Sequence, residues 1–194
     1  MQNLKLLVTH VNNPLLEIMK EAGLYYSLWW KLSGPERPKL VKTMNRYVLF
    51  FGTSINSYIL ALIISLYKLY DTNLETNNFN RLVNLVKKEG TFSKEEMTEL
   101  DSKFNQAKNI WKKVAILRHN YFAHLNIKFD MKSLYKEASI KPDEFRKLIT
   151  LSFDIFNLIR SHYREGELGL ISTKRHVDDL FNHLDIGYTQ SFKM

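Results

Sequence analysis

From Tyr47 to Tyr67 the chain carries no charged residue, and this stretch limits the folds open to it. A helix of that length and composition is long enough to cross a membrane. A helix buried on all sides in the middle of a bundle gives the same pattern. Thr53, Ser54, Asn56, Ser57 and Ser65 interrupt the run, and Asn56 would sit near the centre of a bilayer. The bundle reading is therefore preferred, and no membrane partner is expected.

The flanking sequence also reads as helix. Seven Gly and four Pro in 194 residues leave few turns, which favours long helices over many short strands, and a 45% hydrophobic composition suffices for one sizeable core. The expected fold class is all-α: an antiparallel bundle of four to five long helices with short extra ones. A single domain spans 1–194, with its core over about 10–165 and a C-terminal extension at 166–194.

Asn12 or Asn13 can cap a helix with Pro14 in its first turn, and Leu15, Ile18, Met19, Ala22, Tyr25, Tyr26 and Trp29 follow at helical spacing to about Leu32. Ser33-Gly34-Pro35 breaks the chain, and a second helix is expected from about Pro38 to Tyr70, basic at first and then apolar. Asn78 caps a shorter helix, Phe79 to Lys88, which Gly90 stops. Ser93-Lys94-Glu95-Glu96 is a capping box for a fourth helix, whose inward positions are Leu100, Phe104, Ala107, Ile110, Trp111, Val114 and Leu117. A less regular connection over Asn126 to Ser139 precedes a helix opened by Pro142, with Phe145, Ile149, Phe153, Phe156 and Ile159 inward. A short helix over Lys174 to Leu184 closes the chain. The aromatics Tyr25, Tyr26, Trp29 and Trp30 can be read as a base-stacking platform, but their spacing fits core or subunit interface better.

The formal charge of +8 attracts polyanions without choosing among them. The absence of cysteine leaves no disulfide and no thiolate site, as suits a reducing cytoplasm, where the protein is expected. The apolar residues of Met1 to Val11 are too interrupted for a signal peptide.

Chemistry concentrates where the fourth helix ends, in Leu117-Arg118-His119-Asn120-Tyr121-Phe122-Ala123-His124-Leu125. Arginine holds a phosphate through parallel donors, and histidine moves a proton near neutral pH. Together they suffice to cut RNA without a metal. A separation of six residues puts Arg118 and His124 about 120° apart and ~9 Å along an ideal helix, so one helix does not make a tight pair and a dimeric site removes the difficulty. Lys108, Lys112 and Lys113 precede the arginine as candidate guides for a phosphate backbone, with a solvated basic face as the alternative; Lys174-Arg175 is a less specific candidate. His10, His162, His176 and His183 read as surface or packing residues, and their spacing to Asp178, Asp179 or Asp185 gives no metal site. No cofactor is implied.

The phrase Arg118 to His124, an arginine followed after a short interval by histidine near the end of a bundle helix, resembles the HEPN superfamily. Together with Ser65-Leu66-Tyr67-Lys68-Leu69-Tyr70-Asp71 and the Asn80 to Val86 helix, it is similar to the abortive-infection U-type (AbiU-like) branch. The resemblance implies a bundle that forms a homodimer, with two arginines and two histidines lining one cleft. It also implies the activity of many members: metal-independent endoribonucleases that serve as toxins or phage-defence effectors, with RNA as substrate and a cognate antitoxin protein as a further candidate partner. By position Arg118 and His124 match the family's arginine and histidine, and His119 and Asn120 fall in the polar positions after the arginine. The family's Ala-His-x-Asp continuation is here Ala123-His124-Leu125-Asn126, so no carboxylate stands there, and Asn126 also occupies the place where antitoxin-modified members carry tyrosine. The alternative reading is a non-catalytic helical dimerisation or RNA- or protein-binding module, an antitoxin or defence-system subunit, in which Arg118 and His124 hold an interface together.

Overall fold

The computed structural model describes residues 14–73, 75–123, 131–169 and 177–184, the side chains at 122–123 and 131–134 excepted. The described residues are all helix and connection, with no strand. In chain order the helices are α1 (Pro14–Ser33), α2 (Arg37–Arg46), α3 (Val48–Leu69), α4 (Phe79–Glu89), α5 (Lys94–Ala123), α6 (Met131–Ala138) and α7 (Pro142–His162), followed by a helical stretch over 177–184.

The long helices close a ring: α1 packs chiefly on α3, α5 on α7, and the α3–α5 and α1–α7 contacts complete it. Contacts along the seams give the directions. Tyr70 of the α3 end meets Phe104 while Tyr67 meets Trp111, and Lys113 pairs with Glu144 while Glu96 meets His162, so α3 and α7 each run antiparallel to α5. The core within the ring takes the periodic positions of all four helices: Met19, Ala22, Leu62, Leu66, Leu100, Ala107, Val114, Leu117, Phe145 and Phe156 are fully buried. A large apolar side chain so removed from water contributes about 1.5–3 kcal/mol. The aromatic stripe of α1 belongs to this interior. Tyr26 stacks on Trp30 at 11°, and Trp29 sets its edge against Phe145 at 6.0 Å.

Local signals in the sequence set most boundaries. Asn78 Oδ1 accepts from Arg81 N–H at 2.9 Å, and Gly90 ends α4 at φ 67°, a conformation that costs other residues strain. At α5, Ser93 Oγ accepts from Glu96 N–H at 3.1 Å while Ser93 N–H donates to Glu96 Oε2 at 2.8 Å. Asn12 and Asn13, the expected caps of α1, lie outside the described residues.

The single helix expected from Pro38 to Tyr70 is instead two. Tyr47, at φ −127° and ψ 49°, interrupts it, its N–H donating to Met44 O at 3.1 Å while its carbonyl accepts Phe51 N–H at 3.0 Å. The first piece and the start of the second serve one core, and the rest of the second serves another. Met44 joins Leu32, Phe51, Val177 and Phe181 in a small second cluster, whereas Ile59, Leu62, Ile63, Leu66 and Leu69 enter the main one. Lys31 fastens the second cluster by pairing with both Glu36 and Asp178 at 2.5 Å. The connection expected to be irregular also holds a helix, α6, which packs against α5.

α3 is the one helix among the described residues long and apolar enough to cross a membrane. Its inner face lies in the bundle core. Its last carbonyls are closed by side chains from elsewhere: Asn80 Nδ2 donates to Tyr70 O and Asp71 O at 2.7 and 2.9 Å, and Trp111 Nε1 donates to Tyr67 O at 3.1 Å. Tyr70 is fully buried, and burial pushes its phenol pKa up. Because Ser152 Oγ donates to Leu148 O, the Tyr70 hydroxyl is the donor in its 2.9 Å bond to Ser152, which pins α3 to α7.

Candidate active site

α5, at 30 residues, carries the motif on its final turns. Leu100, Ala107, Val114 and Leu117 root it in the core. With Leu117 fully buried, the helical rotation turns Arg118 and His119 outward, and both are exposed, while Asn120 and Tyr121 are half-buried and Tyr121 packs on the main core. His124 lies outside the described residues, so the described part of the site consists of Arg118, His119 and Asn120.

Arg118 leans on α3. Its guanidinium lies 4.7 Å from the centre of the Tyr67 ring, a distance at which the ring's negative face attracts a cation. The other neighbour of Tyr67 is Trp111, whose ring is 5.8 Å away at 32° and whose indole N–H holds the Tyr67 carbonyl. Trp111 and Arg118 are thus held to one residue of α3, one through its backbone and ring, the other through its ring. Sequence reading missed Tyr67. It had placed Trp111 at a core position, and the signal for Tyr67 was its place at the end of the uncharged run within the segment that carries the family likeness.

The three candidate RNA-binding lysines take different situations. Lys112 is exposed. Lys108 is half-buried, its ammonium 5.4 Å from the Phe104 ring centre. Lys113 turns to α7 and pairs with Glu144 at 2.6 Å. Burial pushes the Glu144 carboxyl up, but the hydrogen bonds from Lys113 and the Lys141 backbone outweigh it and hold the group below its ordinary value. Five residues separate Lys113 from Arg118, about 140° of helical rotation, so the two point to opposite flanks of α5. Between the flanks runs an outward stripe with Lys112, Ile116 and His119, of which Ile116 is 43% exposed.

The other described histidines are engaged elsewhere. Both ring nitrogens of His162 have partners, and His183 Nδ1 lies 2.7 Å from Asp179 O within its own helix. His10 and His176 lie outside the described residues, as do Lys174 and Arg175. Among the described residues no group of three His, Asp or Glu side chains is arranged to hold a metal ion.

Neither a curated protein nor a solved structure matches the chain. The family model of the HEPN domain AbiU2 matches residues 5–188, which include all seven helices and the whole Arg118 to His124 phrase. The chain belongs to the AbiU2 family of HEPN domains.

Proposed function

We propose that the protein is a metal-independent endoribonuclease of toxin or abortive-infection type, working as a homodimer in the cytoplasm. The observation that carries this reading is Arg118. It matches by resemblance the arginine of the family's motif, and it is exposed on a helix rooted in the core, with its guanidinium set over Tyr67. Exposed Ile116 on the adjoining stripe offers a second copy an apolar contact beside the motif, and in this reading the second copy supplies the other Arg118 and His124 of a shared cleft.

In the proposed reaction His124 takes the proton of an RNA 2′-hydroxyl. The freed oxygen attacks the adjacent phosphorus, the bond to the 5′-oxygen breaks, and that oxygen is protonated by the His124 of the second copy. The products are a 2′,3′-cyclic phosphate and a 5′-hydroxyl end. Arg118 stabilises the charge on the pentacoordinate phosphorus from a pre-set position, with Asn120 and His119 orienting the phosphate or the imidazole. DNA lacks the nucleophile and is not cut.

The test is incubation of purified protein with a mixed RNA pool in EDTA, reading fragments and their 3′ ends, beside Arg118→Ala and His124→Ala. The expected result is cyclic-phosphate ends from the wild type, with losses of about 10²–10³ for Arg118→Ala and about 10²–10⁴ for His124→Ala. Equal cleavage by all three proteins refutes the assignment.

A further inference from the structure

We infer that the blunt start of α3, with α2 beside it, docks the protein on an anionic lipid bilayer. Tyr47, Val48, Leu49 and Phe50 follow one another in sequence and are 41%, 61%, 87% and 60% exposed. Apolar residues on a soluble surface are ordinarily scattered singly, and four in succession mark a contact surface. At 87% exposure Leu49 stands proud of the surface; it does not line a groove. The base beneath it is fixed, since Phe51 is 3% exposed and stacks on Phe181 at 5.2 Å.

α2 brings cations to this apolar tip, while the acids near it, Asp178 and Asp179, stand on the helical stretch over 177–184. Arg37, Lys39 and Lys42 are exposed on α2, and no acidic residue occurs from Arg37 to Tyr70. Glu36, just before α2, is drawn to Lys31, which also holds Asp178.

Three occupants can be compared. A second copy docked tip to tip brings two basic α2 helices together across a two-fold axis with no acid from α2 or α3 to offset them. A single-stranded RNA stacks on the rings of Tyr47 and Phe50 but leaves Val48 and Leu49, which have no π face, in water. A bilayer with anionic headgroups takes the aliphatic and aromatic side chains together, holds the Tyr47 phenol at headgroup level and pairs its phosphates with the α2 cations.

Such docking differs from spanning. Only the first turn of α3 enters the interface, while Ile59 to Leu69 keep their places in the core. Phe50 and Tyr67 are 17 residues apart on one helix, about 25 Å, so a docked molecule keeps its Arg118 end clear of the lipid. The inference stands apart from the nuclease reading, because no motif residue takes part.

The test is flotation of the purified full chain with phosphatidylcholine vesicles with and without phosphatidylglycerol, together with light scattering on size-exclusion chromatography. The wild type is expected to float with the anionic vesicles alone and to be released by high salt. Leu49→Ser with Phe50→Ser, which leaves the charge unchanged, is expected to weaken binding at least about tenfold, and Lys39→Glu with Lys42→Glu to do likewise, at unchanged oligomeric mass. If the apolar variant does not fold, the charge variant decides by itself. The inference is overturned if the wild type does not float, if the variants float as it does, or if the apolar variant changes the oligomeric mass.

Discussion

At the start of α5, Glu96 closes the helix end with Ser93 and meets His162 Nδ1 at 3.2 Å; the other nitrogen of that ring lies 3.1 Å from Thr91 Oγ1, and the ring stacks on Phe92 at 4.0 Å. Tyr163 donates to Glu89 beside it. At the far end of the same helix a histidine and a pair of aromatics are again present, now with an arginine, yet His119 and Arg118 are exposed, the Tyr67 ring lying against the arginine and Trp111 against that ring. Aromatics join helices at both ends, but the histidine is built into the joint at one end and exposed at the other. A motif residue is therefore better recognised by where the fold places it, buried between helices or at the surface, than by its type.

The sharpest way to break this comparison is a crossed pair. On the proposed nuclease reading, Arg118→Ala is expected to lower RNA cleavage about 10²–10³-fold even well below its melting temperature, while His162→Ala destabilises by about 1–2 kcal/mol and leaves cleavage intact well below melting. Thermal melts and cleavage rates of both variants check it, and loss of cleavage in His162→Ala at unchanged stability dissolves the distinction between the ends.

A smaller effect tests the support beneath the arginine. Tyr67→Leu removes the ring under Arg118 and is expected to slow cleavage about two- to fivefold, mainly in kcat, whereas Tyr67→Phe keeps the ring and the rate. Equal rates for the two variants leave Tyr67 with a packing role alone.

The smallest effect belongs to the closed end and is read by pH. The Ser93 backbone N–H, and after it His162, hold the Glu96 carboxyl below its ordinary value of 4.5. A depressed carboxylate contributes stability above that value and loses it as the pH falls through the folded-state pKa. The melting temperature of Glu96→Gln is accordingly expected to lie below that of the wild type at neutral pH, with the gap closing in acid below pH 4.5. A gap constant with pH assigns the effect to hydrogen bonding alone.

Much of the scaffold is legible in the sequence because it is written locally. Asn78, the Ser93–Glu96 box, Gly90 and Pro142 act within a turn or two of where they stand, and the inward positions of α5 and α7 repeat with the period of the helix. The break at Tyr47 has no such mark, since neither Gly nor Pro stands there. Met44 before it and Phe51 after it both pack with Val177 and Phe181, partners more than 120 residues away in sequence. The motif was visible for its residue types and spacing. Its setting was not: Tyr67 meets Trp111 44 residues on, and Lys113 is drawn to Glu144 31 residues on, pairings that no local period announces.

The hold of Trp111 on Tyr67 also gives the molecule an optical gauge of its motif. Of the three tryptophans, Trp29 and Trp30 sit together in α1, with Trp29 against Phe145, whereas Trp111 shares the Tyr67 ring with Arg118. A polyanion that draws the guanidinium off that ring alters the field and the packing around the indole. In a chain whose α1 tryptophans are replaced by phenylalanine, the emission of Trp111 thus reports occupancy of the arginine directly, with no label and no turnover.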